Sequence, residues 1–379
     1  MKLGCFFCLL LFFFSCARSK PSDDFNTIQV DLTNPQRASL FDYFSHIELI
    51  PLETNDDVVI GTMRKVIHHQ NRYYVLDAHS AQNVVLVFDD AGKFLFKIGS
   101  VGGGPGEYLL LHDIVINPFT DNIDLLCAMR RQIHSYDLQG NYVKSSGQIT
   151  HDDLFSIWSF VAINEKTYVL LHGSFPFKIF YYDLYEKRVV NREYEESFFA
   201  NRMKIFNPNN FFYEYLGQWY FYYSTDRTTY KLGPDSLIKA YSWDFGRFNY
   251  NTNEIDFPTA HANNWDKITE SANQLPYMFL AQGQNDRYVM ALIKSNGEIG
   301  NLIFDKSTQR SKFIEHFTES VDFRPLVVTN EYVLSFSRHE DIENYVTARM
   351  LDETNRRKFE ALLNAEEEQN PIIIKYFFR

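Results

Sequence analysis

The chain has 379 residues, 45% apolar and 17% aromatic, with a formal net charge of −11. An acidic surface is repelled by nucleic-acid phosphates, and the short basic pairs Arg130-Arg131 and Arg356-Arg357 form no basic aromatic stripe, so nucleic-acid binding is set aside. The four cysteines give no disulfide framework: Cys5 and Cys8 lie in a leader, Cys16 at its end, and Cys127 stands alone in an apolar strand, where it reads as a small buried hydrophobe.

The chain opens with Lys2 and a mostly apolar run over residues 3–14, too short to span a bilayer and suited to an export signal. The sequence FFSC (13–16) resembles a bacterial lipobox, which implies cleavage after Ser15 and lipidation of Cys16. Residues 1–15 are then the signal peptide, 16–25 the lipidated cysteine and a polar tether, and 26–379 the folded domain. Loss of Lys2 with the signal leaves a charge of about −12. Asp23 and Asp24 sit behind Arg18 and Lys20 rather than directly after Cys16, so the expected location is the cell envelope, facing the periplasm rather than displayed outside.

Two strand-like segments follow, NTIQVDL (26–32) and SHIELIPLE (45–53), one of which is expected to join the last blade of a closed ring. The ring is legible in a repeated unit. RYYVLD, NVVLVFD, the turn DAGK and FLFKIG fill residues 72–99; NIDLLCA, QIHSYD, LQGN and YVKSS echo them to residue 146. The turn aspartates Asp89, Asp137 and Asp183 recur at intervals of 48 and 46 residues. Strands and turns at that period signal a propeller with one four-stranded blade per unit. The expected blades span 61–99, 108–146, 157–194, 218–246, 287–317 and 331–351, the last including NYVTARML as a strand. The fold class is therefore all-β, a six-bladed β-propeller with a short C-terminal helix and a closing strand.

Two segments break the repeat. Residues 247–285 form an insertion whose aromatics Trp265, Tyr277 and Phe279 are candidate partner contacts, with Trp158 a further one; residues 268–275 suit a short helix. Residues 352–368 read as a helix, since Phe359, Leu362 and Leu363 fall on one stripe, and IIIKYFF (372–378) as a strand paired inside the terminal blade.

The stretches HIELIPLETNDDVVIG (46–61), YYVLD (73–77), VFDDAGKFLFKIGSVGGGPGEY (87–108) and NPIIIKYFF (370–378) resemble the six-bladed β-propeller lipoproteins of Bacteroidetes, a family defined as a domain of unknown function with blades similar to NHL repeats. The resemblance implies a propeller and an envelope location, and no catalytic residue.

The most specific of these stretches, Gly102 to Tyr108, lacks the Gly-Lys-Ser/Thr ending of a phosphate loop. Gly104, Pro105, Gly106, Glu107 and Tyr108 read as an inter-blade crossing, with glycine permitting positive φ and Glu107 and Tyr108 pinning the loop by hydrogen bonds. No metal or other cofactor is expected. The most ligand-like pairs, His112-Asp113 and His151-Asp152, lack metal-site spacing, and His79 and His261 are isolated in loops. No GxSxG elbow is present. The leading expectation is a lipid-anchored binding or scaffolding module for an envelope protein or glycan; the alternative is a metal-assisted hydrolase or lyase at the channel mouth, acting on a carbohydrate or peptide.

Overall fold

The computed structural model describes residues 26–78, 83–150, 154, 156–173, 176–202, 211–261 and 263–379. The signal, Cys16 and the tether lie outside these residues, as do His79, His151 and Asp152.

Six four-stranded sheets close into a ring. The chain enters through β1 (Asn26–Gln29) and β2 (Phe44–Pro51). Blade one is β3 (Met63–His69), β4 (Arg72–Asp77), β5 (Val84–Asp89) and β6 (Phe94–Ile98). Blade two is β7 (Leu111–Asn117), β8 (Asn122–Cys127), β9 (Gln132–Tyr136) and β10 (Tyr142–Ser145). Blade three is β11 (Ile157–Ala162), β12 (Thr167–His172), β13 (Phe177–Asp183) and β14 (Arg188–Glu195), and helix α1 (Phe198–Arg202) leads out of it. Blade four is β15 (Phe212–Tyr215), β16 (Gln218–Phe221), β17 (Thr228–Leu232) and β18 (Leu237–Asp244). Helix α2 (Trp265–Asn273) precedes blade five, which is β19 (Met278–Gln284), β20 (Tyr288–Ser295), β21 (Glu298–Asp305) and β22 (Arg310–Ile314). Blade six takes β23 (Val327–Val328) and β24 (Tyr332–Ser337); then come helix α3 (Glu353–Leu363) and β25 (Ile372–Phe378).

The ring closes by mixing chain ends. Blade six runs β23-β24-β25-β2 from inside to outside, so the N-terminal β2 supplies its outer strand, antiparallel to β25. The other N-terminal segment, β1, adds a fifth strand to the outer edge of blade four, parallel to β18. Between them the chain crosses blade five, where the Gln36 amide donates to the Phe313 carbonyl at 2.7 Å. The N-terminal segment thus straps three blades together and leaves no free ring edge.

Strand β4 shows why the sequence folds this way. Tyr73 and Val75 pack with Tyr332, Leu334 and Ile373 of blade six, while Tyr74 and Leu76 pack with Leu111, Ile114 and Leu125 of blade two. Alternate side chains therefore enter opposite inter-blade cores, and RYYVLD reads as an unbroken apolar run because both of its faces are covered. The turn aspartates hold the repeat locally. Asp89 Oδ1 accepts from the Ala91 and Lys93 amides, each at 2.9 Å, and Asp137 Oδ1 from those of Gln139 and Asn141 at 2.9 and 2.8 Å. Asp183 and Asp305 cap the corresponding turns of blades three and five. At Gly92, φ is +85° and an added Cβ would lie 2.2 Å from the Pro51 carbonyl oxygen, so the turn seats on the outer strand of the preceding blade only as glycine.

Two expectations are corrected. Residues 344–351 are not a strand: Asn344 ends one 3-10 turn, His339–Asn344, and Ala348–Met350 form a second. The buried residues Ile342, Tyr345, Val346 and Met350 follow a helical spacing rather than alternation, and they pack with Phe359 and Leu362 of α3 against β2 and β25. The insertion ends at Tyr277 rather than residue 285, because β19 is the inner strand of blade five. Gln282, Gly283 and Gln284 disguise it. Gln282 is buried and its Oε1 accepts from Thr229, Tyr241 and Trp243 of blade four, while Gly283 lets Val328 of blade six approach.

Candidate functional site

The inner strands β3, β7, β11, β15, β19 and β23 surround a central channel. The hairpins joining each inner strand to its neighbour lie on one face of the ring, here the hairpin face. The links from one blade to the next lie on the opposite, connection face.

The expected contacts of the insertion separate sharply. Trp265, in the first turn of α2, is 57% exposed. Tyr277 and Phe279 are fully buried, which removes them as surface contacts. The Tyr277 ring lies 4.2 Å from that of Phe245 and 4.8 Å from that of Tyr250, whose hydroxyl donates to the Tyr277 carbonyl at 2.8 Å. Phe279 is in β19 and belongs to the core between blades four and five. Beside the insertion a groove of about 510 Å³ runs between Phe198 and Phe199 of α1 and residues Thr252, Asn253 and Phe257.

The Gly102–Tyr108 loop fills itself. Glu107 Oε2 accepts from the Gly104 amide at 2.6 Å, and an added Cβ at Gly102 would meet the same carboxylate. That carboxylate occupies the place an anion would take. Tyr108 is buried with its hydroxyl on the Ile98 carbonyl, and Tyr136 donates to the Gly106 carbonyl. At Gly106 φ is +77°, with the Tyr142 ring against it. Pro105 precedes this glycine at the tip.

Cys127 has a neighbour that the sequence conceals. His134 lies on the adjacent strand, its Nδ1 2.6 Å from Ser145 Oγ. Burial pushes the Cys127 thiol up, but His134 and the backbone around Leu109, Leu110 and Arg130 outweigh it and bring it down to about 6. The residue is fully buried, so no substrate reaches it in this conformation.

The channel has two different ends. On the hairpin face it opens into a cavity of about 600 Å³. Tyr213 and Tyr215 line it from one face of blade four and Trp219 from the other; His69, Asp121, Gln284 and Asn330 add polar groups from blades one, two, five and six. Tyr213 stacks on Tyr220 at 5.1 Å, and its hydroxyl is held by Tyr241 and by Gln284 Nε2. The Trp219 indole N–H has no hydrogen-bond partner among the described residues.

At the connection face, β3, β7 and β11 each carry a β-bulge at the second residue: Arg64, His112 and Trp158. A bulge re-aims the side chain it carries, and these three converge on one small cavity, with Lys65, Asp113 and Ser159 following them. Asp113 is fully engaged. Its Oδ1 takes Lys65 Nζ at 2.7 Å and the Ile114 amide at 2.8 Å; its Oδ2 takes Ser159 Oγ and the Phe160 amide. Burial lowers the Arg64 guanidinium from its usual value. Burial, and then the Arg64 charge, also hold the His112 imidazole below its ordinary range. Trp158 donates to Ser156 Oγ at 3.0 Å.

His112 and Asp113 are thus brought together, but in a cationic setting where the carboxylate already has a lysine. Among the described residues, no three His, Cys, Asp or Glu side chains converge on a metal position. Arg64, Lys65 and Ser159 escaped sequence reasoning, because a bulge breaks the alternation that would assign their direction. The available signal was the basic pair Arg64-Lys65 at the start of an inner strand.

The family profile described as a domain of unknown function, DUF4934, matches residues 25–377. No curated protein matches the chain in sequence. A Bacteroides fragilis crystal structure, of a protein assigned as exported, is similar with a TM-score of 0.67 at 17% identity, covering 93% of this chain and 98% of that one. A member of the DUF4221 family from Bacteroides vulgatus is similar with a TM-score of 0.52 at 10% identity, covering 88% and 96%. At these identities the likeness is one of fold.

Proposed function

We propose, for a chain that belongs to the DUF4934 family, the role of a lipid-anchored envelope propeller that binds a glycan end at the hairpin-face mouth of its channel. The observation that carries this reading is the cavity of about 600 Å³ lined by the aromatic residues Tyr213, Tyr215 and Trp219 together with amide and carboxylate groups. Aromatic faces pack on the C–H faces of sugars, and convergent polar groups fix their hydroxyls. A protein partner would need a broad surface, whereas this site is concave and walled by five of the six blades. The envelope location is supported by Lys2, the apolar run and Ser15-Cys16, and by the export assigned to the similar Bacteroides fragilis protein.

The test is an oligosaccharide array probed with the mature protein, followed by calorimetry on the best ligand. Trp219→Ala is expected to weaken binding about tenfold or more, as loss of an aromatic anchor does. It is expected to lower the thermal midpoint as well, because Trp219 packs against the core between blades three and four, so affinity is read at a temperature where both proteins are folded. No binding across the array, or equal affinity in the variant, would sink this reading. The anchor has its own check. Cys16→Ala is expected to move the protein from the membrane fraction to the soluble fraction of lysed cells, and a variant still in the membrane fraction would remove the lipid.

A further inference from the structure

The geometry points to a second binding site at the connection-face end of the channel, for a carboxylate group held by Arg64 and His112 and flanked by Trp158. It is separate from the glycan cavity and stands without it.

Three observations converge. The first is the bulge at the same position in three successive inner strands, which delivers Arg64, His112 and Trp158 to one cavity. Bulges re-aim the side chains they carry; each of these three lies in a different blade, and β19 of blade five also bulges, at Leu280, without lining this cavity. The second is the charge balance. Arg64 and Lys65 bring two positive charges and Asp113 one negative charge, and Asp113 is already committed to Lys65, Ser159 and two amides. Arg64 makes no hydrogen bond or ion pair among the described residues, although burial disfavours its charge. A partly buried guanidinium with donors unspent is costly unless something accepts from it. The third is His112 Nδ1, which is buried with no hydrogen-bond partner. A group with two acceptor oxygens would take the arginine fork and this nitrogen together.

Size selects the class. The cavity is about 20 Å³, room for a group near the size of one water. It takes one oxygen of a carboxylate with the rest of the group at the mouth, and a tetrahedral phosphate has more bulk to leave outside. Trp158 and Phe211 give apolar walls on either side, suited to the carbon that bears the head. Lys65 also lines the glycan cavity, so the Lys65–Asp113 pair is a septum between the two sites.

The test uses the mature protein with sodium acetate as probe, at constant ionic strength set by sodium chloride. Wild type is expected to show a saturable rise in thermal midpoint and a shift of the His112 ring resonances, with the His112 titration moving upward as the anion binds. Arg64→Met is expected to weaken acetate about tenfold or more, and Arg64→Lys to weaken it by less, since charge survives but the fork does not. No shift at His112 in wild type, an equal response to chloride, or unchanged acetate affinity in Arg64→Lys and Arg64→Met would each overturn the site. The His112 measurement needs no variant, so it decides the matter even where Arg64→Met fails to fold. Galacturonate and N-acetylalanine distinguish the source: binding tighter than acetate assigns the carboxylate to the end of a larger molecule, and equal binding to a free small acid.

Discussion

The two faces of the ring are built from the same blades and do opposite things with them. On the hairpin face the strands are joined by short turns and the channel opens widely between aromatic side chains. On the connection face the long links between blades three and four and between four and five carry α1, α2 and their own small core of Phe199, Phe257, Ile268 and Leu275. There the inner strands bulge and the channel narrows to a cationic pocket. The lesson is that the propeller repeat sets the ring, while departures from the repeat set the chemistry: a bulge, a buried charge, a long link.

The sharpest way to break that comparison is to attack the connection face where it is most deeply charged. Lys178 and Glu196 form an ion pair at 2.7 Å, each side chain 1% exposed, at the root of α1. Glu196→Gln removes the carboxylate charge from beside the buried Lys178 and is expected to cost about 3 kcal/mol. The double variant Lys178→Met with Glu196→Leu is expected to recover most of that loss, because it removes both desolvation penalties. Urea denaturation decides it. A single variant within about 0.5 kcal/mol of wild type would show that this face does not depend on its buried charge.

The next test separates contact from core inside the insertion. Tyr277→Ala empties a fully buried site between Phe245 and Tyr250 and is expected to cost about 3 kcal/mol or more. Trp265→Ala, on the exposed first turn of α2, is expected to stay within about 0.5 kcal/mol. Equal losses in the two variants would mean that the insertion packs as one unit with Trp265 inside it.

These residues also show how far the sequence could be read. The repeat was legible because Asp89, Asp137 and Asp183 cap the same turn in three blades, and because runs such as RYYVLD have both faces covered. The closing strand β25 was legible for the same reason, and so was the helix before it. What was not legible lay wherever burial or a bulge decouples a residue from its pattern. Tyr277 and Phe279 belong to an Asn-rich aromatic stretch that reads as a loop, and only tertiary packing takes them inside. The sequence offered His112 and Asp113 as a ligand-like pair without metal-site spacing. The structure divides them, giving Asp113 to Lys65 and aiming His112 at the cavity. Arg64 and Ser159 come from other blades, at separations that no local spacing rule connects.

The smallest expected effect sharpens the comparison most, because it reads the connection-face pocket directly. Arg64, Lys65 and Asp113 are the charged groups around His112, and burial with the Arg64 charge holds the folded imidazole below its ordinary 6.5. A depressed folded value means that the unfolded chain binds the proton more readily. The associated stability is therefore present above about pH 6.5 and is lost as pH falls through the lower folded value. His112→Gln is expected to flatten that part of the stability profile, read as urea midpoints from neutral to mildly acidic pH. His68, whose imidazole is also held low by burial and by Lys375, contributes to the same window, so the two variants have to be compared rather than one read alone. Acetate should flatten the wild-type profile in the same sense, since an anion at Arg64 offsets the charge that depresses His112. An acid-side slope identical in wild type and His112→Gln would show that His112 is too well solvated to sense the pocket, and the contrast between the two faces would then rest on shape alone.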